Sequence, residues 1–380
     1  MIAFGSVSFF ALLAGLAVPA LVLGMLGKPI RLWGLAATAI AVGALFADHP
    51  RQLALLLAFV VGQAALMRLH LMYIGRYGRD HPWERRAAVT LALAPLALVK
   101  LAGMLEHPQL TFLGVSYLTF RAVQVILEIS DGLIKRVNLL DYLYFVTFFP
   151  TIASGPIDRS RRFDQDLATA LPRAEYLSLV AVGLRRIMLG ALYKFVFAAW
   201  FAHWIAEPSG GFLGTVSYMY LYGLDLFFDF AGYSLMAVGA SALFGIRTPM
   251  NFRLPFVAES IRDFWNRWHI SLSFWFRDYV YSRLVMALIR RKVIADRVMA
   301  GRLALLVNMG LMGLWHGTGI QFLLYGLYHG VMLVGYDVYE KSVPWHKRLK
   351  DVLWYRLFMI VVTFHIVMVG FLIFSGQVIQ

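Results

Sequence analysis

The chain has 380 residues, of which 60% are hydrophobic and only 15% are charged. Soluble domains carry roughly 25% charged residues, so the composition excludes an ordinary soluble protein and indicates an integral membrane protein. The formal net charge of +14 predicts attraction to acidic membrane lipids or to an acidic partner, and no feature points to nucleic-acid binding.

Apolar runs recur along the whole chain, and a bilayer crossing needs roughly 20 such residues. The clear candidates are residues 7–26, 32–47, 53–74, 87–105, 176–205, 212–230, 320–338 and 352–374. Shorter or more polar runs are residues 113–127, 140–153, 233–244 and 303–314. We therefore predict an all-α polytopic membrane protein with roughly eleven transmembrane helices, some of them broken.

The distribution of cations predicts how the loops are oriented. Lys28 and Arg31 place the first loop in the cytoplasm, and four arginines place loop 75–86 there too. Loops 106–110 and 206–211 have no lysine or arginine and are predicted to lie outside. The first apolar run is not preceded by a basic segment, so it is expected to be a retained helix in a bacterial cell membrane.

The chain is predicted to form a single integral-membrane domain over residues 1–380. Residues 1–105 are expected to be plain peripheral helices with few buried polar groups, residues 106–340 the catalytic core, and residues 341–380 a C-terminal helix. From about residue 111, polar and charged side chains interrupt the apolar runs. Such groups are expensive inside a membrane, so function is expected there.

The stretch from Ser260 to Leu284 is rich in polar and aromatic residues. Read as one helix, it places Arg262, Asn266, His269 and Ser273 on one face, and it pairs an aspartate with Arg267 four residues later. The stretch is typical of an amphipathic helix at the cytoplasmic interface. That position leaves open a functional His269 on the inner face.

Two carboxylates, Asp225 and Asp229, lie four residues apart in an apolar run. In such surroundings they must be paired or protonated. We expect the arginines of residues 262–283 to be their partners, and structural ion pairs are favoured over a catalytic dyad.

A basic turn lies in the sequence "FFPTIASGPIDRSRRF", residues 148–163, and carries Arg159, Arg161 and Arg162. Proline and glycine end a helix here. The cluster either marks a cytoplasmic loop or docks an anionic partner, and Arg267 and Arg277 are further candidates for such docking.

A histidine lies among glycines in "MGLWHGTG", at residues 312–319. Membrane histidines often serve as helix-packing hydrogen bonders, but His316 is equally a candidate for function. Its small neighbours are expected to leave room for a substrate. The chain has no cysteine, so a thiol for thioester chemistry must come from another molecule, and no metal site can be assembled from the sequence.

These stretches resemble the membrane-bound O-acyltransferase family. The resemblance lies in "RDFWNRWHISLSFWFRDYVY", in "LWHG" some fifty residues later, and in "FFDFAGYSLMAVG". These motifs are most similar to the branch that transfers D-alanyl groups to cell-envelope polymers. The alginate-acetylation branch usually has an acid where this chain has Leu235.

The resemblance implies a ring of helices around a thin central region, with no bound cofactor. It implies that a D-alanyl carrier protein on the cytoplasmic side presents a thioester on its phosphopantetheine arm, and that an envelope-side transfer protein of the same pathway takes part. A hydroxyl of an envelope polymer, as in teichoic acid, would be the acceptor. His316 matches the family's catalytic histidine and His269 the second motif histidine.

A neutral imidazole at His316 suits the removal of a hydroxyl proton. Asn266, His269 or backbone amides near Gly317 would stabilise the oxyanion, with Trp315 beside them, and Asp225 or Asp229 would hold a D-alanyl ammonium group. Three alternatives stay open: an O-acetyltransferase acting on an exopolysaccharide, a proton-coupled transporter and a non-catalytic scaffold.

Overall fold

The computed structural model describes residues 2–79, 81–105, 111–205 and 210–378, and within these ranges it has helices and no strands. The first nine helices are α1 Val7–Met25, α2 Arg31–Leu45, α3 Pro50–Tyr77, α4 Pro82–Met104, α5 Val115–Ser130, α6 Leu139–Thr147, α7 Ser160–Ala168, α8 Arg173–Leu192 and α9 Ala199–Ile205. The others are α10 Gly211–Leu243, α11 Ile261–Trp265, α12 Ile270–Phe276, α13 Ser282–Arg290, α14 Arg297–His316, α15 Ile320–Ser342, α16 Pro344–Leu349 and α17 Leu353–Ser375.

The chain divides into two compact units. The first comprises Met1–Ala191 and Gly232–Pro249, and the second comprises Leu192–Ala231 and Met250–Gln380. Helix α10 therefore contributes its first part to the second unit and its last part to the first. Both candidate histidines belong to the second unit.

Six of the described helices are long and apolar enough to cross a bilayer: α1, α3, α4, α10, α14 and α17. The prediction of a helical, multi-pass membrane protein is confirmed. The total of about eleven crossings and the subdivision at residues 105 and 340 stay predictions. Loop residues 106–110 and 206–209, which we predicted to lie outside the membrane, fall outside the described residues.

The apolar runs at residues 212–230 and 233–244 belong to one helix, because α10 is continuous over 33 residues. Gly232 lies inside this helix. A Cβ on Gly190 of α8 would overlap the Gly232 carbonyl. The glycines here allow two helices to pack closely, which is a common use of small residues in membranes.

The first helices are less plain than expected. His70 of α3 is buried, and its ring hydrogen-bonds Glu84 of α4 and the Ser130 hydroxyl of α5, the latter at 3.0 Å. Gln63 is also buried and donates to the Ala92 carbonyl at 3.0 Å. Mean hydropathy did not reveal these buried polar side chains, because each lies on an otherwise apolar helix.

A buried arginine holds the turn after α6 in the first unit. Arg121 of α5 is 1% exposed and donates to the carbonyls of Phe145, Val146 and Thr151 at 3.2, 3.0 and 2.7 Å. Those carbonyls lie where α6 ends, so they lack partners within the helix. The guanidinium thus satisfies a helix end beside the basic turn.

Candidate active site

His316 is the last residue of α14 and is partly buried. Its ring lies 4.6 Å from Trp315, 5.1 Å from Phe374 of α17 and 6.0 Å from Tyr325 of α15, measured between centroids. The ring of His316 is therefore held among aromatic side chains from its own helix, α15 and α17.

His269 is not on a continuous helix, so the prediction of one helix over residues 260–284 is wrong. The helix α11 ends at Trp265, α12 starts at Ile270, and His269 lies between them with φ +43. A left-handed backbone is uncommon for a residue with a side chain. Arg262, Asn266, His269 and Ser273 consequently do not form the single polar stripe that a helical repeat predicted.

Asn251 organises this turn from eighteen residues away. Its carbonyl accepts from the Ile270 amide at 2.9 Å, and its Oδ1 accepts from the Ser271 hydroxyl at 2.6 Å and amide at 3.3 Å. Nearby, the Arg253 amide donates to the Arg267 carbonyl at 3.0 Å. Asn251 is fully buried, and no sequence motif pointed to it.

We expect Asn251→Ala to loosen the turn that carries His269. Loss of a buried hydrogen-bond partner costs about 1–3 kcal/mol, so the melting temperature of the purified protein and kcat should both fall. Ser271→Ala, which removes only one donor, should have the milder effect. Full activity and an unchanged melting temperature in Asn251→Ala would show that the turn holds without it.

The two histidines are brought together around Trp315. The ring of His269 lies 6.1 Å from the Trp315 indole, which itself contacts His316, and the two imidazoles are close enough to interact electrostatically. His269 is 2% exposed and packs edge-on against Phe230 at 4.7 Å. Among the described residues, nothing hydrogen-bonds its Nε2 atom, which is buried.

The glycines near His316 do not leave room for a substrate as we predicted. A Cβ on Gly313 would overlap the Phe322 carbonyl and touch Gly326, and a Cβ on Gly317 would overlap the Phe322 ring. These positions are filled by α15. The small residues instead let α14 and α15 approach at backbone distance, which fixes the end of α14 where His316 lies.

The acidic pair of α10 has a different partner from the one predicted. Asp229 forms an ion pair with Lys194, and Asp225 interacts electrostatically with both of them. The arginines that we expected have other partners: Arg262 bonds Glu340 at 2.7 Å and Arg267 bonds Asp263 at 2.8 Å. The predicted arginine contacts are wrong, whereas the i,i+4 pair within the 263–267 segment is confirmed.

The candidate docking arginines lie in both units. In the first, Arg162 pairs with Asp158 and Asp166, and Arg161 lies 3.4 Å from Glu128 with a half-exposed side chain. Arg159 lies in the same turn. In the second, Arg277 is exposed, pairs with Asp278 at 3.0 Å and covers the Phe274 ring at 4.2 Å. Their role in docking stays a prediction.

A cavity of about 600 Å³ lies in the second unit, and sequence reasoning missed it. Asn308 and Met312 of α14 line it about two turns and one turn before His316, and Asn266 lines it from the broken segment. The lining also carries five cationic side chains and one carboxylate, namely Arg262, Arg277, Arg297, Arg302, Lys341 and Asp337. Asp337 pairs with Arg302 at 2.9 Å and with Lys341 at 2.7 Å, so the lining combines ion pairs with apolar side chains.

Comparison with known proteins identifies a family. The model of the membrane-bound O-acyltransferase family matches residues 82–375. The chain is 41% identical to the teichoic acid D-alanyltransferase of Bacillus subtilis over 99% of this chain and 98% of that protein.

Two further relatives extend the comparison. Identity to the teichoic acid D-alanyltransferase of Streptococcus thermophilus is 42%, over 88% of this chain and 85% of that protein. Identity to a probable alginate O-acetylase of Pseudomonas syringae is 33%, over 70% of this chain and 49% of that protein. The chain therefore belongs to the membrane-bound O-acyltransferase family and is an O-acyltransferase.

Proposed function

We propose that this enzyme transfers a D-alanyl group from a carrier-protein thioester to a hydroxyl of teichoic acid or a similar envelope polymer. The observation that carries the proposal is the pair of imidazoles around Trp315, in the same unit as a cavity of about 600 Å³ whose lining carries cationic side chains. The acyl group and acceptor are taken from the two D-alanyltransferases, which are similar over most of their length.

In this mechanism, His316 is the general base. Its neutral ring takes the proton of the acceptor hydroxyl as the oxygen attacks the thioester carbonyl. The carbonyl π electrons move onto oxygen to form a tetrahedral oxyanion. When the oxyanion collapses, the carbon–sulfur bond breaks, the ester forms, and the thiolate recovers the proton from the imidazolium. No acyl-enzyme is needed, in keeping with a chain that has no cysteine.

His269 supports the reaction from its buried turn. Its Nε2 atom has no partner among the described residues, so a protonated Nε2 can donate to the developing oxyanion. Donors aimed at such an oxyanion contribute about 10²–10³ in rate. Trp315 holds both rings in place, and Asn266 lines the approach.

The donor arm would occupy the cavity, with its phosphate near the cationic side chains of the lining and the carrier outside. A phosphopantetheine phosphate is an anion that arginines bind well. For the same reason, the carrier is proposed to dock at Arg267 and Arg277, or at Arg159, Arg161 and Arg162. By the positive-inside rule, these arginines are expected to face the cytoplasm. An envelope-side transfer protein would receive or guide the product on the other side.

Carrier binding is expected to weaken as salt rises, because exposed charges are screened within about 10 Å at 0.1 M. Arg277→Gln and Arg161→Gln should each weaken binding about threefold further. Binding is measured by surface plasmon resonance on the enzyme in nanodiscs. Salt-independent binding would show an apolar interface and would limit these arginines to setting topology.

A second candidate function is O-acetylation of a polysaccharide, favoured by the similarity to the probable alginate O-acetylases. Reconstitution in proteoliposomes with carrier charged with D-alanine or acetate, followed by mass spectrometry of the acceptor, separates the two. Transfer of acetyl with rejection of D-alanyl would overturn the proposal.

A further inference from the structure

An apolar groove with a volume of about 420 Å³ lies between α15 and α17 in the second unit. The face of α15 from Val331 to Tyr339 lines one side, and the face of α17 from Phe358 to Ile366 lines the other. Val331 and Phe358 are each 53% exposed, so the groove is open to its surroundings. The described residues that line it are all distinct from those that line the cavity of about 600 Å³.

The polar side chains of the groove offer few hydrogen-bonding groups to an occupant. The Tyr339 hydroxyl bonds the Tyr355 hydroxyl at 2.7 Å, and the Ser260 hydroxyl accepts from the Asp263 amide at 3.1 Å. Thr363 is buried. A polar occupant would lose its bonds to water in such a groove without replacing them. The groove therefore suits a hydrocarbon.

The size of the groove favours a single hydrocarbon chain over a helix. Val331 and Tyr339 are eight residues apart on α15, which is about 12 Å along its axis. One leaflet of the hydrocarbon core is about 15 Å thick, so the groove covers most of a leaflet. A helix is about 10 Å across with its side chains and needs roughly 900 Å³ over the same length. The groove holds less than half of that volume, whereas an extended acyl chain is much thinner.

The end of the groove at Tyr339 lies beside α16, which has the features of a membrane–water interface. The Tyr339 ring lies 5.8 Å from the Trp345 ring. Trp345 and Trp354, on either side of the α16 turn, are both more than half exposed. Exposed tryptophans next to apolar helices are typical of the headgroup level of a bilayer. The groove therefore extends from the headgroup level into one leaflet.

Cations predominate at this end of the groove. Residues 341–356 contain five lysines and arginines and one acidic residue. Arg356 is paired with Glu259 at 2.6 Å. Arg348 and Lys350 are exposed, and neither forms an ion pair with the residues that the structure describes. Cations at the headgroup level attract acidic lipids, so these two side chains are suited to an anionic headgroup.

We propose that the groove binds one acyl chain of an anionic phospholipid, whose headgroup lies against Arg348 and Lys350. The apolar sides of the groove hold the chain, and the two cations select the charge of the headgroup. This site is separate from the acyl-transfer site and does not depend on the proposed function.

The first test uses photoreactive lipids. The enzyme is placed in phosphatidylcholine nanodiscs that contain a small share of phosphatidylglycerol or phosphatidylcholine with a diazirine in the acyl chain, and labelled peptides are identified by mass spectrometry. Peptides with residues 331–339 and 358–366 should be labelled about tenfold more by the phosphatidylglycerol, because each cation near the headgroups favours an acidic lipid. Equal labelling by the two lipids would mean ordinary bilayer contact. Peptides unlabelled by both would mean that a protein surface covers the groove. Either result would overturn the proposal.

Two charge variants test the role of the cations. Arg348→Gln combined with Lys350→Gln should reduce labelling by phosphatidylglycerol to the level of phosphatidylcholine. The matched control combines Arg291→Gln with Lys292→Gln, at exposed cations after α13 that do not line the groove, and should keep the preference. If both double variants lost the preference equally, the attraction would be that of the whole basic surface, and the assigned headgroup site would be wrong.

A third variant tests the position of the acyl chain. Val362→Phe keeps the cations and adds volume to the groove from α17, so labelling of residues 331–339 by phosphatidylglycerol should fall severalfold. Labelling at the wild-type level in this variant would place the chain elsewhere. Thermal unfolding in detergent gives an independent measurement, since a ligand that binds only the folded state stabilises it. Phosphatidylglycerol should raise the melting temperature of the wild type more than phosphatidylcholine does, and the Arg348→Gln and Lys350→Gln double variant should lose this difference.

Discussion

Replacing His316 with alanine is expected to lower the rate of acyl transfer by about 10²–10⁴-fold, the usual contribution of a general base. The ring at the end of α14 is partly buried among Trp315, Tyr325 and Phe374. The variant should insert and fold, because the lost ring lies at a helix end and its neighbours are aromatic side chains from other helices. Purified enzyme in nanodiscs, assayed with charged carrier, gives the rate directly.

Two further variants test whether the loss of activity is specific to the proposed general base, His316. His365 is an exposed histidine of α17 that bonds its own helix at the Val361 carbonyl, so His365→Ala should retain the wild-type rate. His269→Ala should lose less activity than His316→Ala, because its proposed role is support. Near-normal turnover in His316→Ala would refute the assignment of the base. If His316→Ala were the milder of the two, the roles would be exchanged.

Gly326→Ala is expected to reduce both stability and activity strongly. A Cβ at this position would overlap the Met309 carbonyl and touch the backbone of Gly313, and backbone atoms cannot rotate away. Overpacking of this kind costs about 1–3 kcal/mol. Since α14 carries His316, moving it away from α15 should also displace the base, and a 1 Å misplacement can cost about 10²-fold in rate.

The matched control lies on the same helix. A Cβ at Gly335 of α15 would meet no atom within 4 Å, so Gly335→Ala should keep activity and hold or raise the melting temperature, because alanine favours helix by about 1 kcal/mol over glycine. Thermal unfolding followed by size-exclusion chromatography compares the two variants. Equal stability of Gly326→Ala and the wild type would mean that the helices can separate without cost.

The D-alanyl ammonium group requires a binding partner, and the structure changes which residues are suitable. Asp229 is already paired with Lys194, whereas Asp225 interacts electrostatically with both of these residues. A role for either carboxylate in holding the ammonium group stays a prediction.

Hydropathy and local spacing determined a large part of this protein in advance. A membrane crossing requires a long apolar run whatever its neighbours are, so the runs at α1, α3, α4 and α17 could be read directly. The Asp263–Arg267 pair followed from the helical repeat because both residues lie within one turn of each other. His316 was identified from its motif, and the structure places it at a helix end among aromatic rings.

The tertiary structure decided the features that depend on distant residues. The left-handed turn at His269 depends on Asn251, the cavity is formed by side chains of several helices, and the ion pair of Asp229 is made with a lysine thirty-five residues away. Helical periodicity describes the faces of one continuous helix and contains no information on hydrogen bonds that break it. The glycines beside His316 show the same limit, since sequence alone cannot tell whether the space above a glycine is open to a substrate or filled by another helix.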